Sequence, residues 1–237
     1  MGIDAYGSNT MPFALREPYQ YIEKKFLQNI SSKKILDFCC GTGIYSIYPA
    51  LQGAQIEGVD ISRKSIDVSK ARAEHFNVSN NCNFRVMDGE QLDYAENSFD
   101  IVLIYGSLSY LNIEKIYRDL SKIIKPGGQL IVIDSLGHNP IFNINRRRNI
   151  KNWSSIRTDT KRLETMKRKD VVLAQRYFKT TEIRCFNLIT AGLFFINKVL
   201  GTNFQPRILF SFDNILMRTP LIRWLAFKVV FVCQKED

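Results

Sequence analysis

The chain has no apolar run long enough to cross a bilayer, which needs about 18–20 consecutive apolar residues. Its two best candidates, Leu188–Ile196 and Leu221–Cys233, are too short, and the second is broken by Arg223 and Lys228. The N-terminal residues lack the basic-then-apolar pattern of a secretory leader. Tyr6 occupies the position that a myristoylation signal after Gly2 reserves for serine or threonine. Histidine is scarce, with only His75 and His138, and the five cysteines show neither a disulfide framework nor zinc-ligand spacing. These absences lead us to expect a soluble, cytoplasmic protein with no metal site.

Acidic residues are scarce in one place. Between Arg146 and Lys169 ten Lys or Arg face two acids, Asp159 and Glu164, so this stretch carries +8 of the net +10. The positive charge is a local device, not a property of the whole surface. Otherwise the composition, 45% hydrophobic and 24% charged, is that of an ordinary globular protein.

Short β-rich runs alternate with helical ones. Lys34–Phe38, Gln55–Asp60, Asn83–Met87, Phe99–Tyr105 and Gln129–Asp134 read as strands; Ile44–Gln52, a segment capped by Ser62 and reaching Phe76, and Asn112–Ile124 read as helices. Glu182–Phe186 and Ala226–Gln234 read as two more strands, and Asp170–Tyr177 as a helix. FDIVLIY (Phe99–Tyr105), apolar on both faces, has the pattern of a central parallel strand. The order predicts an α/β, Rossmann-like, doubly wound and mostly parallel sheet with a C-terminal antiparallel edge strand. An N-terminal helical lid (1–33), a cofactor-binding core (34–135) and substrate-side insertions with the last strands (136–237) would form one domain, the insertions following the fifth and sixth strands.

The glycine loop lacks two things that would make it a phosphate binder. Gly41-Thr42-Gly43 has Ser46 where a dinucleotide loop has its third glycine, and no Gly-Lys-Ser/Thr follows. Asp37, just ahead of the loop, would repel pyrophosphate and suits a cationic ligand. Asp60, closing the second strand, is placed to accept from two ribose hydroxyls. A ligand with a ribose and a positive charge but no phosphate fits S-adenosylmethionine; the alternative is that both aspartates merely cap loops.

ILDFCCGTG (Ile35–Gly43), VDIS (Val59–Ser62), MDGEQLDYAENSFDIVL (Met87–Leu103) and IIKPGGQLIVID (Ile123–Asp134) resemble, in order and spacing, the successive motifs of class I S-adenosylmethionine-dependent methyltransferases. The resemblance implies that Asp37, Gly41 and Gly43 surround the methionine moiety, that Asp60 holds the ribose, and that Ile61 packs on the adenine. It further implies that Asp88 receives the adenine amine, with Gly89 beside it, and that Tyr105 lies near the sulfonium. Cys39 stands where the family usually has glycine.

Acceptor residues are less defined. His138, in the loop after the fifth strand, is a candidate general base, the alternative being a loop histidine that bonds backbone. Asp134 is placed to orient an acceptor or to end the strand, and Tyr19 and Tyr21 to close over the site or to pack. Arg146, Arg148 and Arg157 would bind an anionic small acceptor. Other readings of the basic stretch are a nucleic-acid track, a solvated surface, or, with the apolar segment Asn187–Arg223, a membrane-surface patch. Against nucleic acid, Tyr105-Gly106-Ser107-Leu108 stands where base-amine methyltransferases carry Asn/Asp-Pro-Pro-Tyr. SLGHNPIFNINR (Ser135–Arg146), Arg157-Thr158 and Leu216–Lys235 resemble a subset of bacterial small-molecule methyltransferases, many tied to glycan or natural-product pathways. The leading expectation is O-methylation of a small polar or anionic metabolite such as a sugar. The alternatives are an RNA or lipid-linked acceptor, or a non-catalytic donor-binding subunit.

Overall fold

The computed structural model describes residues 15–144, 146, 165–202, 204 and 207–236. They build one seven-stranded sheet from β1 (Lys34–Phe38), β2 (Gln55–Asp60), β3 (Cys82–Val86), β4 (Phe99–Tyr105), β5 (Ile124–Ser135), β6 (Lys179–Phe186) and β7 (Lys228–Gln234). The order is β3-β2-β1-β4-β5-β7-β6. β7 alone runs against its neighbours, and it lies one place in from the margin, so β6 forms the edge. Strand order reverses between β1 and β4, which puts a crevice at their C-terminal ends.

Local rules account for most elements. α3 (Arg63–His75) starts where the Ser62 hydroxyl accepts from the Ser65 amide at 3.2 Å, and α4 (Ile113–Ile123) where Asn112 accepts from Lys115 at 3.2 Å. α4 buries Ile116, Tyr117, Leu120 and Ile123, the 3.6-residue stripe that seats it on the sheet. α1 (Glu17–Phe26), α2 (Ile47–Leu51) and α3 cover one face through Ile22, Ile47 and Ile66. α4 and α5 (Arg168–Leu173) cover the other, with Tyr117, Leu120 and Val171 in its core. α1 is tied to β6 by Tyr21 and Lys25, both bonded to Glu182.

α2 is shorter than the helix expected over 44–52. Gly41 and Gly43 both sit at positive φ, +54° and +67°, and the amide of Gly43 closes a turn on the Cys40 carbonyl at 2.9 Å. The chain spends residues 41–46 in turns before helix geometry begins. After β5 come helical residues 140–144; after β6 come α6 (Ile189–Leu200) and α7 (Arg207–Leu216). Among the described residues no helix is long and apolar enough to cross a membrane.

Candidate active site

The crevice collects three carboxylates. Asp37, 1% exposed near the end of β1, accepts a hydrogen bond from the Ser46 hydroxyl at 2.5 Å. Burial pushes its carboxyl up to about 7; the Ser46 bond opposes that shift and the charge of Asp60 adds to it. Asp60 at the end of β2 accepts from the Gly41 amide (3.0 Å) and the Ser62 amide (2.9 Å), so one side chain joins the glycine loop to the start of α3. Asp88, two residues past β3, accepts from the Glu90 amide at 2.9 Å. Ile61 follows Asp60 with 71% of its surface exposed, an apolar platform in a polar setting.

The two loop glycines serve different ends. A Cβ on Gly41 would meet nothing within 4 Å, so that backbone borders open space. A Cβ on Gly43 would lie 2.8 Å from Ser69 Cβ, so that glycine lets α3 approach, and the Ser69 hydroxyl donates to the Gly41 carbonyl at 3.0 Å. Gly89 is likewise dictated by packing: a Cβ there would lie 2.8 Å from the Phe38 ring and 3.3 Å from Cys39 Sγ. Cys39 has φ +56°, a region that glycine occupies more readily than a residue with a Cβ. Burial pushes its thiol up to about 12, and the nearby Ser107 hydroxyl opposes that shift.

Tyr105, at the end of β4, is one of three stacked tyrosines. Its ring centroid lies 4.3 Å from Tyr45 and 6.0 Å from Tyr19, and Tyr19 lies 4.9 Å from Tyr45. Burial raises the Tyr105 and Tyr45 phenols well above their ordinary value, so both are neutral donors at physiological pH. Tyr19 thus packs in a wall beside the loop, and the Lys228 ammonium sits 6.0 Å from its ring. Tyr45 and Ser46 escaped the sequence reading; the signal for Ser46 was its place, nine residues after Asp37 where a third glycine was sought.

A second polar cluster lies at the end of β5. Asp134, 3% exposed, accepts from the Ser135 amide at 2.6 Å through Oδ1, while Oδ2 is buried with no partner. Burial raises its carboxyl, against the pull of Lys228, the Ser135 and Leu108 amides and Arg146. Arg146 donates through Nη1 to the Leu136 carbonyl (2.8 Å) and to Asn143 (2.9 Å) and lies 5.4 Å from the Phe227 ring; its Nη2 is also buried without a partner. No ion pair within 4 Å joins Asp134 to any described cation. The Ser107 hydroxyl, from the β4 loop, is a third buried atom without a hydrogen-bond acceptor or donor inside normal distance. His138 is exposed: its Nε2 accepts from the Arg168 amide at 2.9 Å and its ring lies 6.4 Å from Trp224. Arg148 and Arg157 lie outside the described residues.

A doubly wound sheet with an acid at the end of β1, an acid at the end of β2, an open glycine approach and an exposed apolar platform is the arrangement that the sequence resemblance led us to expect. Residues 35–128 match the family model described as a methyltransferase domain. Over that stretch the chain is similar to S-adenosylmethionine-dependent methyltransferases. Among its relatives, the ubiquinone biosynthesis O-methyltransferase of Coxiella burnetii is 34% identical over 112 residues, 47% of this chain and 46% of that protein. The sterol 4-C-methyltransferase strm-1 of Caenorhabditis elegans is 27% identical over 127 residues, 53% of this chain and 38% of that protein. The chain thus spans about half or less of the curated relatives it matches. Geranyl diphosphate C-methyltransferase from Streptomyces coelicolor A3(2) shares the fold at a TM-score of 0.67, with 14% identity over 93% of this chain and 79% of that one. The MccD protein does so at 0.64, with 20% identity over 95% and 99%.

Proposed function

We propose that the protein transfers a methyl group from S-adenosylmethionine to a hydroxyl of a small, polar acceptor bearing an anionic group. The residues present fit the donor: Gly41 borders open space, the Asp60 carboxylate is held by two amides, and Ile61 is bare. Asp37 would face its ammonium, Asp60 its ribose, and Asp88 with Ile61 its adenine. When bound, the donor supplies an electrophilic methyl on a sulfonium, so the chain's own residues need to align the acceptor and exclude water.

The observation that carries the acceptor reading is the pair of buried, unpartnered atoms Asp134 Oδ2 and Arg146 Nη2 at the end of β5. Orphaned buried polar groups are costly and rare, and one acceptor with one cationic donor is the complement of a hydroxyl beside an anionic group. Asp134 takes the hydroxyl proton, and its burial-raised carboxyl is the stronger base for it. Arg146 holds the anion. His138 is the second reading for the base; its Nε2 is committed to a backbone amide, which leaves only Nδ1. The relatives' names span a quinone O-methyltransferase and a sterol C-methyltransferase, so acceptor identity rests on this cluster and not on them. Free thiols at all five cysteines accord with a reducing, cytoplasmic setting.

A labelled-methyl screen of extracted metabolites against total RNA tests the reading. Label should enter an acidic small-molecule fraction. Asp134→Asn should lower turnover by roughly 10²–10⁴-fold with donor affinity unchanged by calorimetry, and Arg146→Gln should raise KM. Label confined to RNA, or full turnover in Asp134→Asn with loss in His138→Ala, would overturn the assignment.

A further inference from the structure

The segment between β6 and β7 leaves and rejoins the sheet at one edge. Phe186 pairs with Lys228, and Lys228 pairs with Ser135, so both ends of the segment root at the C-terminal end of β5, beside Asp134. One buried acid ties its two helices together. Asp213 of α7 is 2% exposed and accepts from the amides of Leu188 (3.1 Å), Ile189 (2.7 Å) and Thr190 (2.9 Å) and from the Thr190 hydroxyl (2.6 Å), capping the start of α6. The two helices are locked together at that end.

Their apolar side chains are not buried by this. Ile196 and Leu200 on α6 are spaced i, i+4; Ile208, Phe212 and Ile215 on α7 are spaced i, i+4, i+7; all five are more than half exposed, and Leu221 beyond them is 79% exposed. Each set forms one helical stripe, so the exposure is a surface and not a scatter of single residues. The helical residues 140–144 meet the end of the segment, where Asn139 donates to the Leu225 carbonyl at 2.9 Å and Phe142 packs edge-on against Phe227. Of the sixteen exposed large hydrophobics among the described residues, ten lie in 140–144 and 196–225.

Charge selects the occupant. Residues 187–228 contain five basic residues and a single acid, and that acid is the buried Asp213. A second copy docking by this face would set cations against cations, because a two-fold interface opposes like patches. A surface that is apolar and negatively charged meets both needs at once. We propose that the α6–α7 hairpin is a docking face for an anionic lipid bilayer, with the stripes at the acyl boundary and the exposed Arg218, just past α7, at the phosphates. The inference does not depend on methyl transfer, and its test reads none.

The full chain is sedimented with phosphatidylcholine vesicles with and without phosphatidylglycerol. Binding should require the anionic lipid and weaken as salt shortens the Debye length to about 8 Å at 0.15 M. Phe212→Ser with Ile215→Ser should lower apparent vesicle affinity roughly tenfold per side chain, and Arg218→Gln about fivefold, with thermal melting in solution unchanged. If the double variant melts early, Leu221→Ser reads the same face from another turn. Equal binding to both vesicle types, no binding to either, or parental binding by the serine variants would overturn the proposal. So would a concentration-dependent dimer in light scattering that the serine substitutions dissolve.

Discussion

Asp37→Asn should make the free protein more stable at pH 8 while destroying its capacity for donor. In the fold, burial pushes the Asp37 carboxyl from its ordinary 3.8 up to about 7. A raised carboxylate pKa favours the fold below the unfolded value, and this contribution is lost as pH climbs from about 4 through 7. Above that window the ionised group is a burden in the empty site. About three pKa units at 1.36 kcal/mol each set an upper bound near 4 kcal/mol. Asparagine removes the charge, and its carbonyl can still accept from Ser46, whose hydroxyl lies 2.5 Å from the present carboxylate. For a chain of this size that bound corresponds to a melting gain on the order of 10 °C. The gain should appear at pH 8 and vanish at pH 4. Saturating donor should narrow the gap at pH 8. At a hundred times Kd it stabilises the parent by about 2.7 kcal/mol and the variant hardly at all. Differential scanning fluorimetry at both pH values, with and without S-adenosylmethionine, measures all four quantities. A melting difference that is independent of pH would refute the claim that burial of a charge dominates at this position.

The two loop glycines should separate in experiment. Gly43→Ala drives a Cβ to 2.8 Å from Ser69 Cβ at φ +67° and should cost about 2–4 kcal/mol in urea melts. Gly41→Ala meets open space and should cost only about 1–2 kcal/mol, with its larger effect on donor affinity; equal costs would contradict the division. Asp60→Ala strands the amides of Gly41 and Ser62 and should lose about 1–3 kcal/mol together with donor binding, while Asp60→Asn should recover part of the stability.

Much of the donor side is readable in one dimension because each of its features is local. FDIVLIY is apolar at every core position and becomes β4 at the centre of the sheet. Ser62 caps α3 from three residues away, and Asp60 ends β2 where the run QIEGVD ends. Parallel strands buried on both faces and helices with polar caps leave short-range traces, and the crevice follows from the strand order. Even the irregular Cys39 is visible as a missing glycine, its cause being a φ of +56°.

What tertiary structure alone decided was set by long-range partners. That Ser46 bonds Asp37, that Tyr45 stacks between Tyr19 and Tyr105, and that Gly43 answers to Ser69 depend on elements meeting across 9 to 86 residues of chain. Orphaned atoms cannot be seen in a sequence at all, because a missing partner is a fact about neighbours; Asp134 and Arg146 acquired their meaning only when Oδ2 and Nη2 were found alone. The apolar segment after β6 makes the same point in reverse. Its composition predicts a packed cap or a dimer face more readily than a lipid-facing surface, since hydrophobic periodicity reports which face of a helix is apolar and not what covers it. The fold left that face in the open.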